Sequence, residues 1–276
     1  YRAVGQNQDE SFTYYLPKLM CRPRRFPDAT PTLRKTLKKL CYVPLEVWQQ
    51  WYQGTGFNFA GQQELEEQTK TYSETFKTQR IPKISVDRVS QAANLYYTGF
   101  ARFEYEKLQS PAKRSGLYFL IEFVEIDDSK QSKLLAALCF LGEEGIGGER
   151  SSGAGRFELD GDNFLELPSL WQQVITFEGN FYSLISLLWD DSEQLEASLA
   201  HESSAYVLQE RGGWIGSPFS GVQRRRKLVR MFTEGSLFPE KLHGRLADVT
   251  PSNRNGLPHD IYRSGIGFYL PILIEF

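Results

Sequence analysis

The sequence predicts an α+β protein made of two sandwich-like domains, and three observations lead there. Each half of the chain passes through strands, then a helix, then strands again. Pro168 falls between the halves, and neither half carries a short-period repeat or a coiled-coil heptad. The 276 residues suffice for one large core or two smaller ones. Apolar residues make up 41% and charged residues 24%, an ordinary globular composition.

Residues 14–16 read as a short strand closed by Pro17. Leu33, Leu37 and Leu40 fall at helical spacing. Pro44 suits the first position of a second helix that carries Val47, Trp48 and Trp51 and ends at Gly54 and Gly56. Residues 62–71 are polar and predict a mobile loop. The β-rich runs 94–97 and 100–105 flank Thr98-Gly99 and predict a hairpin. A strand is expected over 117–126, a short apolar helix over 132–141, and a strand through Phe157 and Leu159. After Pro168, segments 174–177 and 181–188 read as strands and 191–199 as an acidic helix. Strands are expected again over 205–209, 227–233 and 266–274.

Several function classes drop out. The most apolar run, 117–126, is interrupted by Glu122 and Glu125 and is far shorter than the ~20 residues of a membrane span. The opening Tyr-Arg-Ala-Val-Gly-Gln is no signal peptide. It also lacks Met, so the sequence is expected to be a piece of a longer product. Cys21, Cys41 and Cys139 are few, odd in number and far apart, which predicts a reducing cytoplasm instead of a disulfide framework. With no Cys-x-x-Cys pair and only His201, His243 and His259, neither a metal site nor a cofactor is expected.

Net charge is −2, so the whole chain does not announce a polyanion binder. Local charge does. Lys18, Arg22, Arg24, Arg25, Arg34, Lys35, Lys38 and Lys39 stand against one acid, Asp28, and a second basic run covers Arg224, Arg225, Arg226, Lys227 and Arg230. Such clusters bind phosphate backbones by releasing counterions. Acids gather elsewhere, at Asp127 and Asp128 and at Asp190, Asp191, Glu193 and Glu196. This bipolar surface suits RNA on one face and protein on another; the competing reading is a set of merely solvated charge runs.

The most informative stretch is 142–156, with six glycines, two serines and two arginines. Glycine lets a partner backbone approach closely, and amides freed by such turns form anion-binding nests. Arg150 and Arg156 add planar forks matched to phosphate, and Ser151 and Ser152 add hydroxyl donors. The preceding helix presents its C-terminal end, the wrong dipole for an anion, so amides and guanidinium groups must supply the attraction. A Walker A loop would need Lys where Gly148 stands. A dinucleotide fingerprint would join a strand to a helix, and here the order is reversed. A nucleophilic Ser151 or Ser152 would need a nearby activating base. A plain surface linker is the structural alternative.

At this loop the sequence resembles the RAMP superfamily of CRISPR proteins. Within it, the chain is most similar to the family of subunits that cap the guide-RNA handle in the type III-A (Csm) effector complex. The resemblance rests on an ordered set of segments: Tyr15-Leu16-Pro17-Lys18, the basic stretch 37–44, Ile84-Ser85-Val86-Asp87-Arg88, the loop 145–157, Arg211-Gly212-Gly213-Trp214, Met231-Phe232-Thr233-Glu234-Gly235-Ser236, and Tyr262-Arg263-Ser264-Gly265. It implies two ferredoxin-like (RRM-like) domains, 1–167 and 168–276, with a β-hairpin thumb at about 81–107 and the glycine-rich loop at 142–156. A strand and helix that normally precede the Pro-Lys motif are missing from the sequence. The resemblance further implies a non-catalytic subunit that holds the repeat-derived 5′ handle of crRNA and docks the large polymerase-like subunit and a backbone RAMP subunit.

The RNA-binding set expected from loop and resemblance is Lys18, Arg22, Arg88, Gly145, Gly147, Gly148, Arg150, Ser151, Ser152, Gly153, Gly155, Arg156, Arg211, Trp214 and Arg263. Tyr14, Tyr15, Tyr96, Tyr97 and Trp214 could stack bases, although most aromatics are expected in the core. Asp87-Arg88 reads as a pair holding the base of the thumb, not as a catalytic dyad. Three alternatives stay open: a repeat endoribonuclease of the same superfamily, the equivalent subunit of a related type III complex, and a protein-bridging scaffold indifferent to RNA.

Overall fold

The computed structural model describes residues 2–6, 11–26, 31–58, 66, 70–72, 75–103, 105–106, 113–124, 127–161, 164, 166–215, 224–254 and 257–275. It is a mixed α/β structure with small antiparallel sheets. The chain divides into two compact units, one formed by Tyr1–Tyr118 with Gln173–Phe276, the other by Phe119–Gln172.

The first unit opens with strands β1 (Arg2–Gln6) and β2 (Ser11–Pro17), helix α1 (Pro31–Lys39), strand β3 (Tyr42–Pro44) and helix α2 (Leu45–Tyr52). Pro44 forms the N-cap of α2 rather than its first turn. Leu45, Trp48, Trp51 and Tyr52 share one buried face of α2, the i, i+3, i+7 pattern that seats a helix on a core. A long ribbon follows, β4 (Phe76–Val86) against β5 (Ala93–Phe103), then β6 (Tyr105–Glu106) and β7 (Lys113–Leu117). β3-β2-β1-β7-β6 form one antiparallel sheet, and β4-β5 stand as a two-stranded ribbon. Pro82 is tolerated in β4 because the ribbon offers an outer edge where no amide is needed.

The hairpin lies one strand earlier than the sequence suggests. Its turn is 87–92, closed by the Asp87 amide donating to Ala92 O at 2.9 Å, and Thr98-Gly99 lies inside β5. Of the loop expected over 62–71, residues 62–65 and 67–69 lie outside the described residues.

The second unit contains α3 (Asp128–Glu144), a 17-residue helix. It starts four residues before its apolar periodicity because Asp127 caps it, accepting from the Ser129 and Lys130 amides at 2.9 and 3.3 Å. Residues 118–124 and 157–159 form no strand. The segment expected as a strand over 174–177 belongs mostly to helix α4 (Ser169–Thr176).

The first unit resumes with β8 (Phe181–Leu184), α5 (Glu193–Ala200), β9 (Leu208–Arg211), β10 (Val229–Phe232), β11 (Leu237–Phe238), β12 (Leu246–Asp248), β13 (Tyr262–Ser264) and β14 (Tyr269–Ile272). β11-β8-β14 form one sheet, while β10-β9 and β12-β13 form ladders. Leu184, Leu188, Phe232, Phe238, Leu242 and Tyr269 build a core cluster beneath them. Residues 11–58 lock onto this part through backbone hydrogen bonds: Met20 N donates to Gly235 O at 3.0 Å and Leu273 N to Tyr52 O at 2.9 Å. Gly235 sits at φ 86°, and a Cβ there would stand 2.9 Å from Lys18 O, so the Thr-Glu-Gly-Ser turn admits only glycine at this seam.

Candidate nucleic-acid interface

In the second unit, α3 ends at Gly145, whose amide donates to Leu141 O at 2.7 Å. The chain then doubles back. Ile146 N donates to Gly155 O at 2.9 Å, Ala154 N to Glu149 O at 3.2 Å and Phe157 N to Gly142 O at 3.2 Å. Between these ties runs a short 3-10 helix, Arg150–Ser152. Gly155, at φ 80°, lies against the Ile146 carbonyl, where any side chain would collide. The turn is therefore a pinned structure and not a slack linker.

Gly147 and Gly148 differ from their neighbours. Neither makes a hydrogen bond among the described residues, and a Cβ on either would meet open space. Gly148 does not even sit at positive φ. Gly147, at φ 85°, holds a left-handed backbone that favours glycine, whereas nothing within the described residues requires glycine at Gly148, whose bare backbone is free for a partner's approach.

Arg150, Ser151 and Arg156 are exposed, and neither arginine has an ion-pair partner among the described residues. Ser152 is committed inside the loop: its hydroxyl donates to Glu149 O at 2.9 Å, with the Glu149 carboxylate 3.2 Å away. Gly153 N closes the 3-10 turn on Arg150 O at 2.9 Å. The structure thus separates the expected loop residues. Gly145, Ser152, Gly153 and Gly155 build the turn, and Gly147, Gly148, Arg150, Ser151 and Arg156 face outward.

The remaining candidates belong to the first unit. Lys18 follows β2 at the Gly235 seam, half-buried, with its amide on Cys41 O at 2.9 Å. Arg22 is exposed. Arg88 is exposed in the hairpin turn, and Asp87 does not pair with it. The Asp87 carboxylate instead accepts from Val89 N at 2.9 Å and from Ser90 N and Oγ at 2.7 and 3.0 Å. These bonds, the Ser90 amide foremost, hold its pKa below the usual carboxylate value. The pair expected at the hairpin's base therefore sits at its tip, as a turn-forming Asp beside a solvated Arg.

Of the aromatic candidates, Tyr15 is core and Tyr14 packs edge-on against Tyr118 at 5.1 Å. Tyr96, Tyr97 and Trp214 are exposed. Arg80 covers the Tyr97 ring at 5.1 Å and Arg225 the Trp214 ring at 5.0 Å. Arg211 on β9 and Arg263 on β13 are half-buried.

The basic run 224–227 could not be resolved from sequence. Its arginines part ways in the structure: Arg224 Nη1 donates to Asn253 O at 2.8 Å, Arg225 lies on Trp214, and Arg226 Nη2 reaches Gly212 O at 3.3 Å. Strand alternation was the signal that could have separated Arg225 from its neighbours. Among the described residues no helix is long and apolar enough to cross a membrane, and no three His, Cys, Asp or Glu side chains converge as metal ligands.

Residues 178–272 match the family model described as the CRISPR Csm4 C-terminal domain. The chain is 28% identical over 173 residues to the CRISPR system Cms protein Csm4 of Methanocaldococcus jannaschii, covering 56% of this chain and 43% of that protein. To the protein of that name from Mycobacterium tuberculosis (strain H37Rv) it is 27% identical over 238 residues, covering 86% of this chain and 69% of the relative. The chain spans about half the length of several of the curated relatives it matches, 43% and 53% in two cases. A chain of the solved Type III-B Cmr-beta complex bound to cognate target RNA aligns over 86% of this chain and 63% of its own length, with 13% identity and a TM-score of 0.41.

Proposed function

We propose, from the premise that this chain belongs to the Csm4 family, that it is a non-catalytic RNA-binding subunit of a type III-A CRISPR effector complex. In this reading it caps the 5′ repeat-derived handle of crRNA and docks the large polymerase-like subunit and a backbone RAMP subunit. The reading includes two ferredoxin-like domains divided near residue 168, with the β4–β5 hairpin as the thumb, and a cytoplasmic location.

One observation carries it. The pinned turn after α3 exposes two arginines with no acid partner among the described residues, beside Gly148, whose bare backbone serves no need among the described residues. Guanidinium forks and open amides suit holding a phosphodiester strand, and the Ser152 hydroxyl beside Glu149 is committed to the turn's own backbone, donating to Glu149 O at 2.9 Å.

The test is a double substitution, Arg150→Ala with Arg156→Ala, titrated with repeat-derived 5′-handle RNA across a salt series. Removing one strong guanidinium–phosphate interaction weakens binding by ~1–3 kcal/mol, and the salt dependence becomes shallower. Equal affinity at every salt concentration removes the turn from the RNA site. Incubation of the purified chain with repeat RNA checks the other half of the reading, and site-specific cleavage would overturn the non-catalytic assignment.

A further inference from the structure

The β12–β13 ladder turns one face inward and leaves the other bare. Ala247 and Val249 are each 2% exposed, and Arg263 and Gly265 lie on the same inner side, half-buried and buried. Side chains alternate along a strand, so Leu246 and, across the ladder, Tyr262, Ser264 and Ile266 point the other way. Leu246 pairs with Ser264. Tyr262 and Ile266 therefore flank it two residues to either side, within diagonal reach. The pairing runs on past β13, where Gly265 N donates to Arg245 O at 2.9 Å. Leu246, Tyr262 and Ile266 are 55%, 54% and 60% exposed. The solvated face of an antiparallel sheet is ordinarily polar. Single exposed apolar side chains are common, but three in register make one contiguous patch. Its area is on the order of 300 Å², the size at which such a patch on a monomer is often functional.

Acids border this patch. Trp189 N donates to Gly265 O at 3.0 Å and Arg245 N to Trp189 O at 2.9 Å, so the chain entering α5 is stitched to the end of the ladder. That chain carries Asp190 and Asp191, and Asp190 accepts the Gly244 amide at 3.4 Å. The cation beside them, Arg245, is already matched by Asp191 at 2.9 Å. In α5, Leu195 and Leu199 pack on the core cluster, which turns Glu193 and Glu196 outward. Neither glutamate has an ion-pair partner among the described residues. Acids in a first helical turn favour the positive end of the helix. That accounts for the two glutamates within α5 and leaves the neighbouring apolar side chains unexplained.

The border selects the occupant. Carboxylates repel phosphate, so neither RNA nor an anionic lipid surface suits this face. An apolar centre with a charged rim is the anatomy of a protein interface, and the rim calls for lysine or arginine opposite it. We infer that the outer face of β12–β13, centred on Leu246, Tyr262 and Ile266 and bordered by Glu193 and Glu196, docks a partner protein that presents apolar side chains ringed by basic ones. The inference rests on the proposed function for the existence of protein partners, and adds the surface that meets one of them and the chemistry of its counterpart.

The experiment uses the full chain and, as separate probes, the purified large polymerase-like subunit and backbone RAMP subunit of the same complex. Affinity for each is measured over a salt series, alongside affinity for 5′-handle RNA. Leu246→Ser with Ile266→Ser should weaken binding to one subunit at least about tenfold at every salt concentration. Glu193→Gln with Glu196→Gln should weaken it about threefold at low salt and not at high salt. Tyr262→Lys should bind that subunit less tightly than Tyr262→Glu, because both lose the ring but only lysine meets like charge. All the substituted side chains are exposed, so the variants should melt like the parent, and handle RNA affinity should not change.

Parental affinity for both subunits in every variant overturns the inference. Equal loss in Tyr262→Lys and Tyr262→Glu, or greater loss in Tyr262→Glu, removes the basic counterpart and overturns it too. Should the serine variant melt early, the glutamine and Tyr262 variants decide on the same terms. A parent that sediments as a dimer and variants that do not would make a second copy the occupant, against the inference. A matching loss of handle RNA in the variants would make the face part of the RNA site, also against it. A parent that binds neither subunit overturns it as well; if that parent still binds handle RNA, the RNA-holding half of the proposed function stands, and if it ignores RNA, that half falls too.

Discussion

Gln53 makes a sharp test of how the first unit is held together. It lies just past α2, is 7% exposed, and its Nε2 donates to Val174 O at 2.8 Å and Pro271 O at 2.7 Å. One amide group thus serves two carbonyls that arrive from distant parts of the chain. Its own Oε1 is buried without a partner. Gln53→Met keeps the length and removes the donor. Leaving two buried carbonyls unsatisfied costs roughly 2–4 kcal/mol, and removing the orphaned oxygen offsets about 1 kcal/mol or somewhat more. The expected net loss is about 2 kcal/mol, large for one side chain. Urea denaturation of the intact chain, followed by tryptophan fluorescence, reads it. A loss under ~0.5 kcal/mol, the range of a surface substitution, would show that the two bonds do not hold the unit.

Two glycines of the same turn should behave oppositely. Gly155→Ala forces a side chain onto the Ile146 carbonyl at φ 80° and should lower thermal stability. Gly148→Ala should melt like the parent, because its Cβ meets open space, yet bind handle RNA more weakly. Equal RNA affinity for Gly148→Ala would mean no strand approaches there. At the hairpin tip, the pKa of Asp87 is depressed on folding, so the ionised form is the one the turn stabilises. That contribution is complete above the ordinary carboxylate value of 3.8 and disappears as pH falls through the lower folded value. Protection of the Val89 and Ser90 amides from hydrogen exchange, relative to the unstructured rate at the same pH, should fall over that acid window and be lost at neutral pH in Asp87→Ala. Exchange insensitive to both changes would refute the assignment.

What the sequence conveyed depended on whether a signal was local. The helix of Trp48 and Trp51 was legible because its apolar face repeats at helical spacing and proline and glycine bracket it. The glycine-rich turn was legible as a special backbone, and Gly155 shows why. The hairpin turn was misplaced because Gly99 looked like punctuation; a Cβ there meets nothing within 4 Å, so that glycine answers no conformational demand. The true turn is made by Asp87 and Ser90 side chains folding back on the backbone, a weaker sequence signal. Residues 174–177 looked like a strand because Val174, Ile175 and Thr176 are β-branched, but the Pro168-Ser169 start and the buried Val174 make them the last turn of α4.

The seam through Gln53 also bears on biosynthesis. Gln53 is separated from Pro271 by 218 positions, and Arg24 from its ion-pair partner Glu275 by 251. During translation, the Gln53 amide and the Arg24 guanidinium must therefore wait for partners made more than two hundred codons later. Pairings this remote in sequence delay closure, and a nascent chain whose seam is still open offers aggregation and chaperone capture a long interval in which to compete.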